Sequence, residues 1–189
     1  ALARPSARQA ALTEAWRIAR HENDAVLLSR VAGALAQSFG SSEGVADAQA
    51  VIESILATAV EDGNRRHEAE ATHALGTCAW SQGRIDDAYE LLMRTLRLAE
   101  ALDDDSLEQR ARVSLSRIHM RRNELEEAAT NLEMAMRLAV KSGDQAAESS
   151  ARLNLGVVRH RMGQSEVAVH HLERCLELAR SVRHRARES

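Results

Sequence analysis

His171 and Cys175 stand four residues apart, so on a helix both could reach one metal ion. The surrounding pattern argues for packing instead. Stepping from Cys175 by forty residues reaches Ala135, Thr95, Ile55 and Ala15, a slot of small and apolar side chains. Cys78 aligns in the same way with Ser38, Ile118 and Val158 and is expected to be a buried, inert thiol. There is no Gly-rich phosphate loop, no nucleophile elbow and no helix carrying a His-Glu metal pair. The expectation is a chain with no catalytic residue, no metal and no cofactor, and not an enzyme.

The chemistry that remains is recognition. Residues 106–122 carry Arg110, Arg112, Arg117, Arg121 and Arg122 against Glu108. Residues 124–141 carry Glu124, Glu126, Glu127 and Glu133 against Arg137 and Lys141. A basic segment followed by an acidic one gives two oppositely charged faces. Of 25 basic residues only Lys141 is lysine, and arginine grips carboxylates bidentately where lysine cannot. The partner expected from this pattern is a protein or peptide bearing carboxylates.

The elements that position these residues repeat. Ala19, Ala59, Ala99, Ala139 and Ala179 are spaced by forty, as are Leu12, Ile52, Leu92, Leu132 and Leu172. Leu35, Leu75, Leu115 and Leu155 align, each followed by a small residue: Ala36, Gly76, Ser116 or Gly156. A large side chain beside a small one lets two helices approach closely. Gly83, Asn123 and Gly163 fall between the halves of each unit, where a left-handed residue ends a helix. Between units stand Asn23-Asp24, Gly63-Asn64, Asp103-Asp104-Asp105 and Gly143-Asp144, three of them followed by Glu68, Glu108 or Glu148 as in a capped first turn.

Apolar residues within each half follow helical steps, as in Ala88, Leu91, Leu92, Leu96 and Ala99, and no window alternates with period two. Nine helices are expected: 6–21, 25–39, 45–61, 65–81, 85–101, 106–121, 125–141, 145–161 and 165–181. Composition agrees with an all-α class, with 2% aromatic residues and a single proline, Pro5. The net charge of -3 argues against a dedicated nucleic-acid binder, and no stretch is apolar enough to span a bilayer. Two distant cysteines form no disulfide framework, which suits a cytoplasmic setting, and the arginine bias suits a bacterial one.

Leu75-Gly76 with Ala88 and Leu92, and Leu155-Gly156 with Ala168 and Leu172, resemble the tetratricopeptide repeat. The forty-residue period resembles the long variant of kinesin light chains and bacterial regulators. This resemblance implies a right-handed superhelical solenoid of antiparallel helical hairpins over residues 1–189, a single domain. Repeats would cover about 25–61, 65–101, 106–141 and 145–181, after an orphan second helix at 6–21. Residues 182–189 would begin a further helix or a linker, and the whole would be a fragment of a longer protein. The bulky first-helix slot of the family holds Thr72, Arg112 and Arg152 here, and its aromatic slot holds Ala79, His119 and Arg159.

In that family first helices line a concave groove. Carried onto this register, the groove residues are His73, Thr77, Trp80, Arg110, Val113, Arg117, Met120, Arg121, Leu153, Val157, His160 and Arg161. Asn154 matches the asparagine that holds a bound backbone in long-period relatives. Trp80 aligns with Gly40, Met120 and His160, too varied a set for a core slot, and is expected to be an exposed anchor. The implied function is a protein-binding scaffold within a larger regulatory protein. Its rivals are a sensory or autoregulatory module, as in repeats fused to diguanylate cyclases or transcription activators, and self-association through the terminal hairpins.

Overall fold

A computed structural model describes residues 42–188. Among the described residues there are seven helices and no strand: α1 (Ser42–Glu61), α2 (Arg65–Ser81), α3 (Ile85–Ala101), α4 (Asp105–Arg122), α5 (Leu125–Ser142), α6 (Gln145–Arg161) and α7 (Ser165–Glu188). The expected helices 6–21 and 25–39 lie outside the described residues. Expected and observed ends agree within three residues throughout, except that α7 runs on to Glu188 instead of ending at 181.

Six of the seven described helices end for the same local reason. Gly63, Gly83, Asp103, Asn123, Gly143 and Gly163 all have positive φ, so a left-handed residue recurs every twenty positions. Asp and Asn bear that conformation better than other side-chain-bearing residues, which is why they can replace glycine in this series. The next position in the series is Arg183, which favours the right-handed helix, and α7 continues through it. Starts are marked by side chains that accept from the first turn: Asn64 from His67 N, Asp104 from Leu107 N, and Asp144 from Ala146 N and Ala147 N. Asn64, Asp104 and Asp144 are thus the caps expected.

The chain divides into two compact units, residues 1–103 and 104–189. In the first, α2 packs against both α1 and α3. Its core is built from Ile52, Ala69, Ala71, Leu75, Cys78, Ala79, Ala88, Leu92 and Ala99, all buried. In the second, α4 packs on α5, α5 on α6, and α6 on α7. Ala128, Ala129, Leu132, Leu155 and Val158 form its central cluster, with Val113, Met120, Leu125 and Met162 packed around it. Turns of two or three residues allow only antiparallel neighbours, so each unit is a run of helical hairpins.

Small residues set the spacing inside the hairpins. A Cβ on Gly76 would stand 2.9 Å from Cγ of Leu92, and one on Gly156 would stand 2.9 Å from Cγ and Cδ2 of Leu172. The leucine of one helix occupies the space left by the missing side chain of the other, as the large-beside-small register implies.

Candidate protein-interaction faces

The arginines in the family's bulky and aromatic slots are held by carboxylates. Arg112 Nε donates to Glu108 Oε1 at 2.6 Å, and Arg152 Nε donates to Glu148 Oε1 at 2.7 Å. Thr72 takes the equivalent slot in α2, buried, with its hydroxyl donating to Glu68 O. Glu68 is reached across the hairpin by Arg94 Nη2 at 2.7 Å. The three first-turn glutamates thus hold arginines as well as favouring the helix start electrostatically. In the aromatic slot Ala79 and His119 are buried, with His119 Nδ1 2.7 Å from Glu124 Oε2. Arg159 reaches Glu133 on α5 and donates through Nη1 to Gln164 Oε1 at 2.9 Å, and its Nε has no partner.

These pairs modify the expected separation into a basic and an acidic wall. Arg112, Arg152 and Arg159 are tied to carboxylates, and the Arg159 pair joins a first helix to the preceding second helix. At the far side of the second unit Lys141 Nζ lies 2.6 Å from Asp105 Oδ2, closing the ends of α4 and α5.

The sequence-derived groove residues divide between the units. In the first, His73, Thr77 and Trp80 lie on α2 and are half-buried, with Thr77 Oγ1 donating to His73 O. Trp80 is therefore less exposed than expected of a free-standing anchor. In the second, Arg110, Val113 and Met120 on α4 and Asn154 on α6 are half-buried. Arg117, Arg121, Leu153, Val157, His160 and Arg161 are exposed. Val113 and Met120 pack on the central cluster. Leu153 and Val157 remain 49% and 46% exposed, one turn apart on α6.

Arg161 has a role the sequence did not suggest. Its Nη1 donates to Met120 O at 3.2 Å and its Nη2 donates to Asn123 Oδ1 at 3.0 Å, tying the end of α6 to the turn after α4. Asn154 donates Nδ2 to Ser150 O at 3.0 Å, so one amide hydrogen is spent within its own helix.

Cys78 is buried, and burial pushes its thiol up to about 11 despite the opposing charge of Arg84. Cys175 is half-buried with Sγ 3.2 Å from Ser149 Oγ, which places it between α6 and α7 as the packing slot implied. His171 titrates below the ordinary histidine range, chiefly through burial and then through Arg152, His170 and Arg159. Among the described residues, no group of three or more His, Cys, Asp or Glu side chains could hold a metal ion, and no helix is long and apolar enough to cross a membrane.

Successive hairpins with a forty-residue register and interlocking Gly and Leu define a helical-hairpin repeat protein. Residues 107–181 match the tetratricopeptide repeat family model. Residues 3–43 match the model of anaphase-promoting complex subunit 5. No curated protein matches the chain. Among solved structures it is similar to BtubC (BKLC) from P. vanneervenii, with a TM-score of 0.70 at 18% identity over 93% of this chain and 72% of that one. It is also similar to the nearly identical TPR-like repeats from Podosopora anserina, of the kinesin light chain type. That match has a TM-score of 0.60 at 16% identity, over 92% of this chain and 86% of the other. MamA aligns with a TM-score of 0.51 at 16% identity, over 90% of this chain and 91% of that one.

Proposed function

We propose that this chain is a protein-interaction scaffold, without catalytic activity, that holds a protein or peptide segment against its first helices. The observation carrying this reading is the α6 face. Leu153 and Val157 are exposed aliphatic residues, with His160 one turn beyond Val157, and Arg117 and Arg121 are exposed on α4 of the same unit. Apolar side chains beside arginines suit a segment that carries one or two large apolar residues and carboxylates. Exposed ion pairs contribute only about 0–1 kcal/mol each, so affinity rests on Leu153 and Val157 while the arginines select the partner. On α2, Trp80 with His73 and Thr77 offers a second candidate contact, in the first unit.

The forty-residue register recurs along residues 1–189 and supports a single repeat domain. An autoregulatory role is the same reading with the occupant supplied by the parent polypeptide.

The test is recovery of binders on the immobilised chain at low and high salt, with three variants beside the wild type. Leu153→Asp with Val157→Asp should lose the bound species, and Arg117→Glu with Arg121→Glu should lose it selectively at low salt. Trp80→Ala tests the α2 contact. Retention of the same species by all three variants would place the binding surface elsewhere and overturn the proposal.

A further inference from the structure

We infer that the joint between α6 and α7 is an acid-sensitive switch, in which the hairpin loosens when the His171 imidazole takes up a proton. The inference begins with the slot that His171 fills. Stepping back by forty residues gives Asn131, Leu91, Val51 and Ala11, so only this hairpin places a titratable group there. The ring is half-buried. Its Nδ1 is withdrawn from water and has no hydrogen-bond partner among the described residues.

The charges around the ring are already committed. On α6, Arg152 Nε donates to Glu148 Oε1 at 2.7 Å, and Arg159 is held by Glu133 of α5 and by Gln164. Both arginines act on His171, as does His170 beside it on α7, with ring centroids 5.8 Å apart. The opposing charge comes from Glu133, whose carboxylate is engaged by Arg159 and lies 3.9 Å from Arg137.

Neutral imidazole suits this place, because its Nδ1 can turn a lone pair toward the arginines. The imidazolium does not. It carries a proton on both ring nitrogens, so Nδ1 becomes a buried donor with no acceptor, beside two guanidinium groups. Burial first, and then Arg152, His170 and Arg159, accordingly hold His171 below the ordinary histidine value of 6.5. Below 6.5 the unfolded chain takes the proton before the folded one, so the folded hairpin loses stability as pH falls from there. Relief needs only that α7 ease away from α6 at this point and admit water to Nδ1. Cys175, one turn further along α7, has its Sγ 3.2 Å from Ser149 Oγ of α6 and lies in the same joint. The switch does not depend on what the outer face of α6 binds.

Cys175 therefore supplies the test. The whole chain is treated with 4,4′-dithiodipyridine, which reacts with thiols in acid, and modification of Cys175 is followed by mass spectrometry. His171→Asn and His171→Leu serve as controls, since Asn131 and Leu91 fill the same slot in earlier hairpins. Comparison with the variants at each pH cancels the intrinsic reactivity of the thiol and the titration of every other group. The wild-type rate should match the variants near pH 7.5 and exceed them severalfold near about pH 5, across the histidine range. Helix content by circular dichroism should stay unchanged. Titration of the eight imidazoles by NMR should place His171 below 6.5. A labelling ratio that does not change with pH for either variant would overturn the proposal. So would a His171 midpoint at or above 6.5, or a loss of helix in step with labelling, which would mark general unfolding in place of a joint.

Discussion

Leu92 lies over Gly76 so closely that a methyl group on the glycine would stand 2.9 Å from Leu92 Cγ and 3.1 Å from its Cδ2. Leu172 lies over Gly156 in the same manner, at 2.9 Å. The two leucines differ in freedom. Leu92 is 1% exposed and has nowhere to move, whereas Leu172 is half-buried and open on its outer side.

Gly76→Ala should therefore destabilise the fold by about 1–3 kcal/mol, overpacking outweighing the helix-propensity gain of about 1 kcal/mol. Gly156→Ala should cost less, because Leu172 can yield on its open side, although Ala168 O at 3.3 Å keeps the site tight. Chemical denaturation of both variants measures the difference. Equal effects would show that the space around the leucine does not govern the response.

Leu132 is fully buried in the central cluster of the second unit. Leu132→Ala should cost about 2–5 kcal/mol through the cavity it leaves. A measured loss below about half a kcal/mol, small against ordinary core truncations, would mean that the forty-residue register misassigns the core.

Arg159 and Glu133 are 21% and 34% exposed as side chains, so the pair is only partly screened by water. Glu133→Ala leaves Arg159 with Gln164 alone and should cost about 1–2 kcal/mol, less than the loss of a fully buried pair. Replacing both residues with leucine should restore much of that stability, since no unpaired charge then remains. Denaturation midpoints of the single and double variants form the test. A double variant weaker than Glu133→Ala would show that the charges themselves hold α5 to α6.

Cys78 keeps its proton up to about 11 when folded, against 9.0 for the free group, because burial disfavours the thiolate. Above pH 9.0 the unfolded chain loses this proton first, so stability should fall as pH rises through that window, and Cys78→Ala should flatten the fall. At pH 8 a thiol reagent should modify Cys175 in the native protein and Cys78 only after unfolding. Rapid native-state labelling of Cys78 would contradict this burial.

Helix boundaries and core slots were legible in the sequence because they depend on nearby residues. A left-handed position at every twentieth residue, from Gly63 to Gly163, ends a helix wherever Gly, Asn or Asp stands there. Asn64, Asp104 and Asp144 begin the next helix by accepting from their own first turn. Leu75, Leu115 and Leu155 are buried because a three- to four-residue spacing puts them on one face.

Only the tertiary structure decided how the charges are used. Arg94 meets Glu68 within a hairpin and Arg159 meets Glu133 between hairpins, although both pairs are 26 residues apart. The helix-turn unit is twenty residues long either way, so sequence spacing alone does not distinguish the two contacts. The same holds for Arg161, a groove candidate by register whose guanidinium binds the Asn123 turn 38 residues away. Whether Leu153, Val157 or Leu176 meets protein or water depends on which helix lies beside it. That is set by the stacking of whole helices, and the local pattern of a helix carries no record of its neighbour.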